Sequence, residues 1–83
     1  MQKKMENVKE FLGAMKVEQK ENGYYIRFRK SKTNKIKVEQ YCEILELEDE
    51  RFERLGEYEL LISNEEFEDI YKTYMGKLYA REI

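Results

Sequence analysis

VEQKENGYYIRFRKSKTNKIKVEQYCEI, residues 17–44, alternates apolar and polar side chains around two turn signals. Within it Asn22-Gly23 is a hairpin signal, because a type I′ turn needs positive φ at both central residues and Asn and Gly accept it most readily. A two-residue loop there pairs Glu21 with Tyr24, Gln19 with Ile26 and Val17 with Phe28. Val17, Ile26 and Phe28 then share one face, since strand side chains alternate with period two. Lys32-Thr33-Asn34 reads as a second turn, with Asn34 able to adopt the left-handed conformation. Pairing Ser31 with Lys35 sets Phe28 opposite Val38, Ile26 opposite Gln40 and Tyr24 opposite Cys42. The expected result is a three-strand meander. Its apolar face carries Val17, Tyr24, Ile26, Phe28, Ile36, Val38, Cys42 and Ile44, and its polar face carries Tyr25, Arg27, Arg29, Lys37, Glu39 and Tyr41.

Outward from this core, Met5, Val8, Phe11, Leu12 and Met15 fall at helical spacing, and Gly13 supplies a left-handed residue to close a helix near Leu12. After Leu47, the spacing of Phe52 and Leu55 predicts one or two helical turns capped by Gly56. Tyr58, Leu60 and Ile62 alternate as a final strand. Ser63 and Glu66 stand in capping-box positions, with Ile62 and Phe67 where a hydrophobic staple would sit. A helix from Asn64 follows, its stripe Phe67, Ile70, Tyr71, Tyr74 and Leu78. Glu65, Glu66, Glu68 and Asp69 occupy its first turns, while Lys72, Lys77 and Arg81 come later, as the helix dipole favours. The expected fold class is α+β. It comprises an N-terminal helix and an antiparallel four-strand sheet (a meander of three plus a fourth strand), covered on one face by a C-terminal helix.

Length and composition bound the rest. The 83 residues are expected to form a single domain, 1–83, with 41% apolar and 41% charged side chains. The charged share lies well above the roughly 25% of an average globular protein. Eleven aromatic residues (seven Tyr and four Phe) give the chain enough apolar surface to fold, which excludes a disordered tail. No apolar run approaches membrane-spanning length, so no membrane association is expected. One cysteine, Cys42, excludes a disulfide framework and fits a reducing compartment, hence an expected cytoplasmic location in a bacterial host. Proline is absent and Lys, Glu, Ile and Tyr are abundant, the composition of AT-rich coding in low-GC bacteria, their phages and mobile elements.

Histidine is absent too. That removes Ser-His and Cys-His nucleophiles, HExxH zinc sites and the usual general base near neutral pH. The four glycines are isolated, so no glycine-rich phosphate loop exists. Glu48, Asp49, Glu50 and Glu53 could weakly hold a hard cation, but their spacing matches no calcium loop. The chain is expected to be no enzyme and to carry no metal or cofactor.

Charge segregation is the main functional clue. Residues 1–40 hold eleven basic and five acidic side chains, net +6, and residues 41–83 hold five basic and thirteen acidic, net −8. Residues 27–37 carry six positive charges and no acid. Tyr25, Arg27, Arg29, Lys32, Lys35, Lys37 and Tyr41 would suit phosphate contact and base stacking on a basic-aromatic hairpin spanning residues 25–41. Glu46, Glu48, Asp49, Glu50, Glu53 and Glu57 would instead dock on a basic surface. The expected function is a small non-enzymatic regulatory or inhibitory protein-binding module using the acidic lobe. The target would be a host nucleic-acid-handling enzyme. A DNA- or RNA-binding regulator using the hairpin is the alternative, and a self-assembling accessory protein, a homo-oligomer whose lobes pair, is a further one. The overall charge of −2 counts against nucleic acid.

Overall fold

A computed structural model describes the backbone of residues 2–82 and the side chains of residues 3–76. The chain runs α1 (Gln2–Leu12), β1 (Lys16–Lys20), β2 (Gly23–Arg27), α2 (Lys32–Leu47), β3 (Phe52–Arg54), β4 (Glu59–Ile62) and α3 (Asn64–Glu82). The fold is α+β, with terminal helices and one four-strand antiparallel sheet in the order β1-β2-β4-β3. Each hairpin thus contributes its second strand to the centre.

The helix α1 closes as the sequence predicts. Gly13 has φ +70, Ala14 N–H donates to the Lys9 carbonyl at 2.9 Å and Gly13 N–H to that of Glu10 at 3.2 Å. These are the two bonds of a Schellman cap. Ser63 caps α3, its hydroxyl accepting from the Glu66 N–H at 3.1 Å, and the staple residues Ile62 and Phe67 are both buried. Leu78, Lys77 and Arg81 lie outside the described side chains.

Three expectations are corrected. The hairpin β1–β2 forms, but Lys20 pairs with Gly23 and Val17 with Ile26, so the turn residues are Glu21 and Asn22. Neither has positive φ, so the turn is not type I′. Gly23 sits in the strand instead, where a Cβ would lie 2.0 Å from the Ile62 carbonyl oxygen. Glycine is there for the close approach of β4. The slip preserves the face of every side chain because it moves the pairing by an even number.

The expected third strand is a helix. Residues 32–47 form α2, capped by Ser31, whose hydroxyl accepts from the Asn34 N–H at 3.1 Å. Asn34 donates from its side chain to the Arg29 carbonyl at 2.9 Å and has no turn role. Val38, Cys42 and Leu45 turn inward together, the four-then-three spacing of one helical face. The expected helical turn after Leu47 is the strand β3, which pairs Phe52 with Ile62 and Arg54 with Leu60. The basic-aromatic hairpin of residues 25–41 therefore does not exist as a hairpin.

One face of the sheet carries Val17, Tyr24, Ile26, Leu60, Ile62 and Phe52. Upon it pack Val8 from α1, Val38, Cys42 and Leu45 from α2, and Phe67 and Ile70 from α3, in one buried cluster with Phe28. Phe67 stacks on Tyr24 with ring centroids 3.7 Å apart. The opposite face meets solvent, with Lys16, Lys20, Arg27 and Glu53 exposed and Tyr25 and Leu61 half-buried. Among the described residues no helix is long and apolar enough to cross a membrane.

Candidate interaction surface

The order β1-β2-β4-β3 fixes what meets at one end of the sheet. Tyr24 and Phe52 both pair with Ile62. The β1–β2 turn, the start of β3 and the start of α3 therefore crowd together. The cleft between them is lined by Glu21, Glu50, Glu53 and Glu65, with Arg51 and Asn64 among them. Carboxylates from the β1–β2 turn, the α2–β3 loop, β3 and α3 thus converge, separated in sequence by as much as residues 21 and 65.

Behind the cleft lies a tighter group. One carboxylate oxygen from each of Glu50, Glu66 and Asp69 falls within 4.8 Å of the others. Glu66 is 6% exposed and accepts a hydrogen bond from the Tyr41 hydroxyl. Burial pushes its carboxyl above the ordinary value; the Tyr41 bond opposes this, and the charges of Glu50, Glu48 and Asp69 add to it. Burial also pushes the Tyr41 phenol upward, with the Glu66 bond adding, so the phenol keeps its proton and remains a donor. Chemically this trio could accept a hard cation through oxygen ligands or a Lys or Arg side chain.

The loop that presents Glu50 is held by a second Schellman cap. Glu50 N–H donates to the Leu45 carbonyl at 2.9 Å and Asp49 N–H to that of Glu46 at 3.2 Å. Asp49 takes the left-handed position, φ 58, where glycine is usual and Asp is tolerated.

Of the sequence-predicted acidic residues, Glu48, Glu50 and Glu53 belong to this end of the molecule. Glu46 is exposed near the end of α2. Glu57 lies in the β3–β4 connection, paired with Lys35 at 3.4 Å, away from the others. Glu21 and Glu65 line the cleft and Asp69 stands behind it with the buried Glu66, although local pattern assigns Glu21 to a strand and the other three only to the dipole-favoured first turns of a helix. The capping-box spacing located Glu66; its partner Tyr41 was hidden by reading α2 as a strand.

The basic constellation is only partly kept together: Arg27 and Arg29 line one cleft with Lys30, Phe28 and Tyr58, where Glu57 and Glu59 offset their charge, and the other members lie elsewhere. Tyr25 and Arg27 lie on the open sheet face, where the Tyr25 hydroxyl donates to Glu59. That bond, with burial behind it, holds the Tyr25 phenol above its ordinary value. Arg29 is in the β2–α2 loop, and Lys32 and Lys35 are exposed at the start of α2. Lys37 donates to the Leu12 carbonyl and so helps to close α1. Tyr41 is turned inward to Glu66 and is not the free aromatic anchor expected. Cys42 is buried, as its apolar face implied, and burial raises its thiol. No known protein family, no curated protein and no solved structure matches this chain.

Proposed function

We propose that this protein is a non-enzymatic interaction module that docks its acidic end on a basic patch of a partner protein and thereby regulates or inhibits it. The observation that carries the reading is the convergence of Glu21, Glu50, Glu53 and Glu65 on one cleft, backed by Glu66 and Asp69. Like charges gathered at one end oppose folding and create a field that steers a cationic partner. A carboxylate array of this kind fits the Lys- and Arg-lined groove of a nucleic-acid-handling enzyme, which is the partner class we infer. In this reading the protein works in the cytoplasm of a bacterial host and originates from a phage or mobile element.

Fluorescence anisotropy with a labelled oligo-arginine peptide tests the surface, and a mixed-sequence DNA duplex serves as the competing probe. The expected result is salt-sensitive peptide binding. The triple variant Glu50→Lys, Glu53→Lys and Glu65→Lys should lower the association rate by about tenfold or more. Peptide binding unaffected by that variant would sink the proposal. So would tight duplex binding near physiological salt that is lost in Arg27→Ala with Arg29→Ala, which would support a nucleic-acid-binding regulator instead.

A further inference from the structure

The outer face of α2 carries apolar side chains that the described residues leave largely uncovered. Val38, Cys42 and Leu45 face the core, and at about 100° per residue the opposite side of the helix carries Thr33, Ile36, Gln40, Ile44 and Leu47. Ile36 is 53%, Ile44 48% and Leu47 87% exposed. Single exposed apolar residues need no explanation, but here three share one stripe on one helix.

Charge along α2 is divided just as sharply. Residues 32–38 hold Lys32, Lys35 and Lys37 and no acid, and residues 39–48 hold Glu39, Glu43, Glu46 and Glu48 and no base. This is the reverse of what a helix dipole favours, since cations sit at its positive end and carboxylates at its negative end. The neighbouring α3 obeys the ordinary preference, with Glu65 and Glu66 in its first turn. A second helix lying antiparallel would oppose both the dipole and the charges of the first, end for end.

We propose that α2 is the interface of a homodimer in which two copies of the helix pack antiparallel about a two-fold axis at Gln40. The stripe is symmetric about that residue. Ile36 meets Ile44 of the second copy, Thr33 meets its Leu47, and the two Gln40 amides face each other and fix the register, as a central polar residue does in coiled coils. Lys32 comes beside Glu46 and Glu48 of the other copy. A parallel arrangement would set lysine against lysine and glutamate against glutamate. The proposed interface borders the acidic end at Glu48 but does not rest on the function proposed for that end.

A pair of single helices gives an interface at the small end of the specific range, so dissociation is expected at roughly micromolar concentration. Sedimentation velocity of the full chain from low micromolar to roughly 1 mM reads it. The wild type should pass from monomer to dimer. Leu47→Glu and Ile44→Glu should each weaken the dimer by about tenfold or more, with melting curves at low concentration unchanged. Lys32→Glu and Glu46→Lys should each weaken it, and the double exchange in one chain should restore it. A wild type that stays monomeric at the highest concentration overturns the proposal. A dimer indifferent to Leu47→Glu, or tightened by Lys32→Glu alone, overturns it as well.

Discussion

At the scale of the residue, Gly23 and Glu66 show how one position can serve packing against its own chemical preference. A methyl group on Gly23 would sit 2.0 Å from the Ile62 carbonyl oxygen, and backbone cannot yield as a side-chain tip can. Gly23→Ala should therefore cost about 2–3 kcal/mol in urea melts. Asn22→Ala, at a turn position without positive φ, should change stability by less than about 0.5 kcal/mol. Equal losses at the two sites would restore the glycine to the turn. Glu66 is the opposite case, a charge kept where its neighbours disfavour it. Its folded-state carboxyl lies above its ordinary value of 4.5 because of burial. The protonated form is therefore favoured by folding, and that contribution is complete below the ordinary value and lost as pH rises through the raised one. Glu66→Gln keeps an acceptor for Tyr41 while removing the charge. It should be more stable than the wild type at neutral pH, because folding disfavours the ionised Glu66. The gap should close as pH falls towards 4.5. A gap that is constant across this range would show that the Glu66 carboxyl binds its proton equally well in the folded and unfolded chain, so that burial does not raise it.

At the scale of the element, α2 shows why local pattern was the least legible part of the chain. Ile36, Val38, Cys42 and Ile44 alternate like a strand, but Gln40 interrupts them, and Val38, Cys42 and Leu45 fit a helix without interruption. Both periods were present in the same residues, and only packing decides between them. The ends of α2 misled for a related reason. Its start is marked by Ser31, which resembled part of a turn, and its end by Asp49, where no glycine signalled a stop. The helices α1 and α3, which carry Gly13 and the Ser63–Glu66 pair, were legible because their caps are the usual ones. Asp49 holds φ 58, a conformation that costs a residue with a Cβ about 1 kcal/mol. Asp49→Gly relieves that strain and should raise stability by up to about 1 kcal/mol, provided the cap forms as described. Destabilisation by a similar amount, read from thermal or urea unfolding, would mean that the Asp49 side chain holds the loop in a way the backbone does not reveal.

At the scale of the whole molecule, the α+β class and the terminal helices follow from patterns within single segments, whereas the sheet order does not. Nothing local in residues 52–54 marks a strand, and nothing local says that β4 lies between β2 and β3. The acidic cleft inherits that limit. Charge segregation along the chain announced an acidic lobe, but Glu21 belongs to the basic half and reaches the cleft only because β1-β2-β4-β3 brings its turn beside the start of β3. The same order makes the domain two-layered, with all core residues on one face of the sheet. Leu60 and Leu61 test this directly because they are adjacent in β4 and point to opposite faces. Leu60 is fully buried and packed in the core cluster; Leu61 pairs with Tyr25 and Glu53 on the open face. Leu60→Ala should leave a cavity and cost about 2–5 kcal/mol. Leu61→Ala removes apolar area that is still partly hydrated and should cost about 1 kcal/mol or less. If Leu61→Ala proves as costly as Leu60→Ala in urea melts at low concentration, the open face is covered and the sheet has a third layer. The solvent-facing side on which Tyr25 and Arg27 now stand would then be an interior.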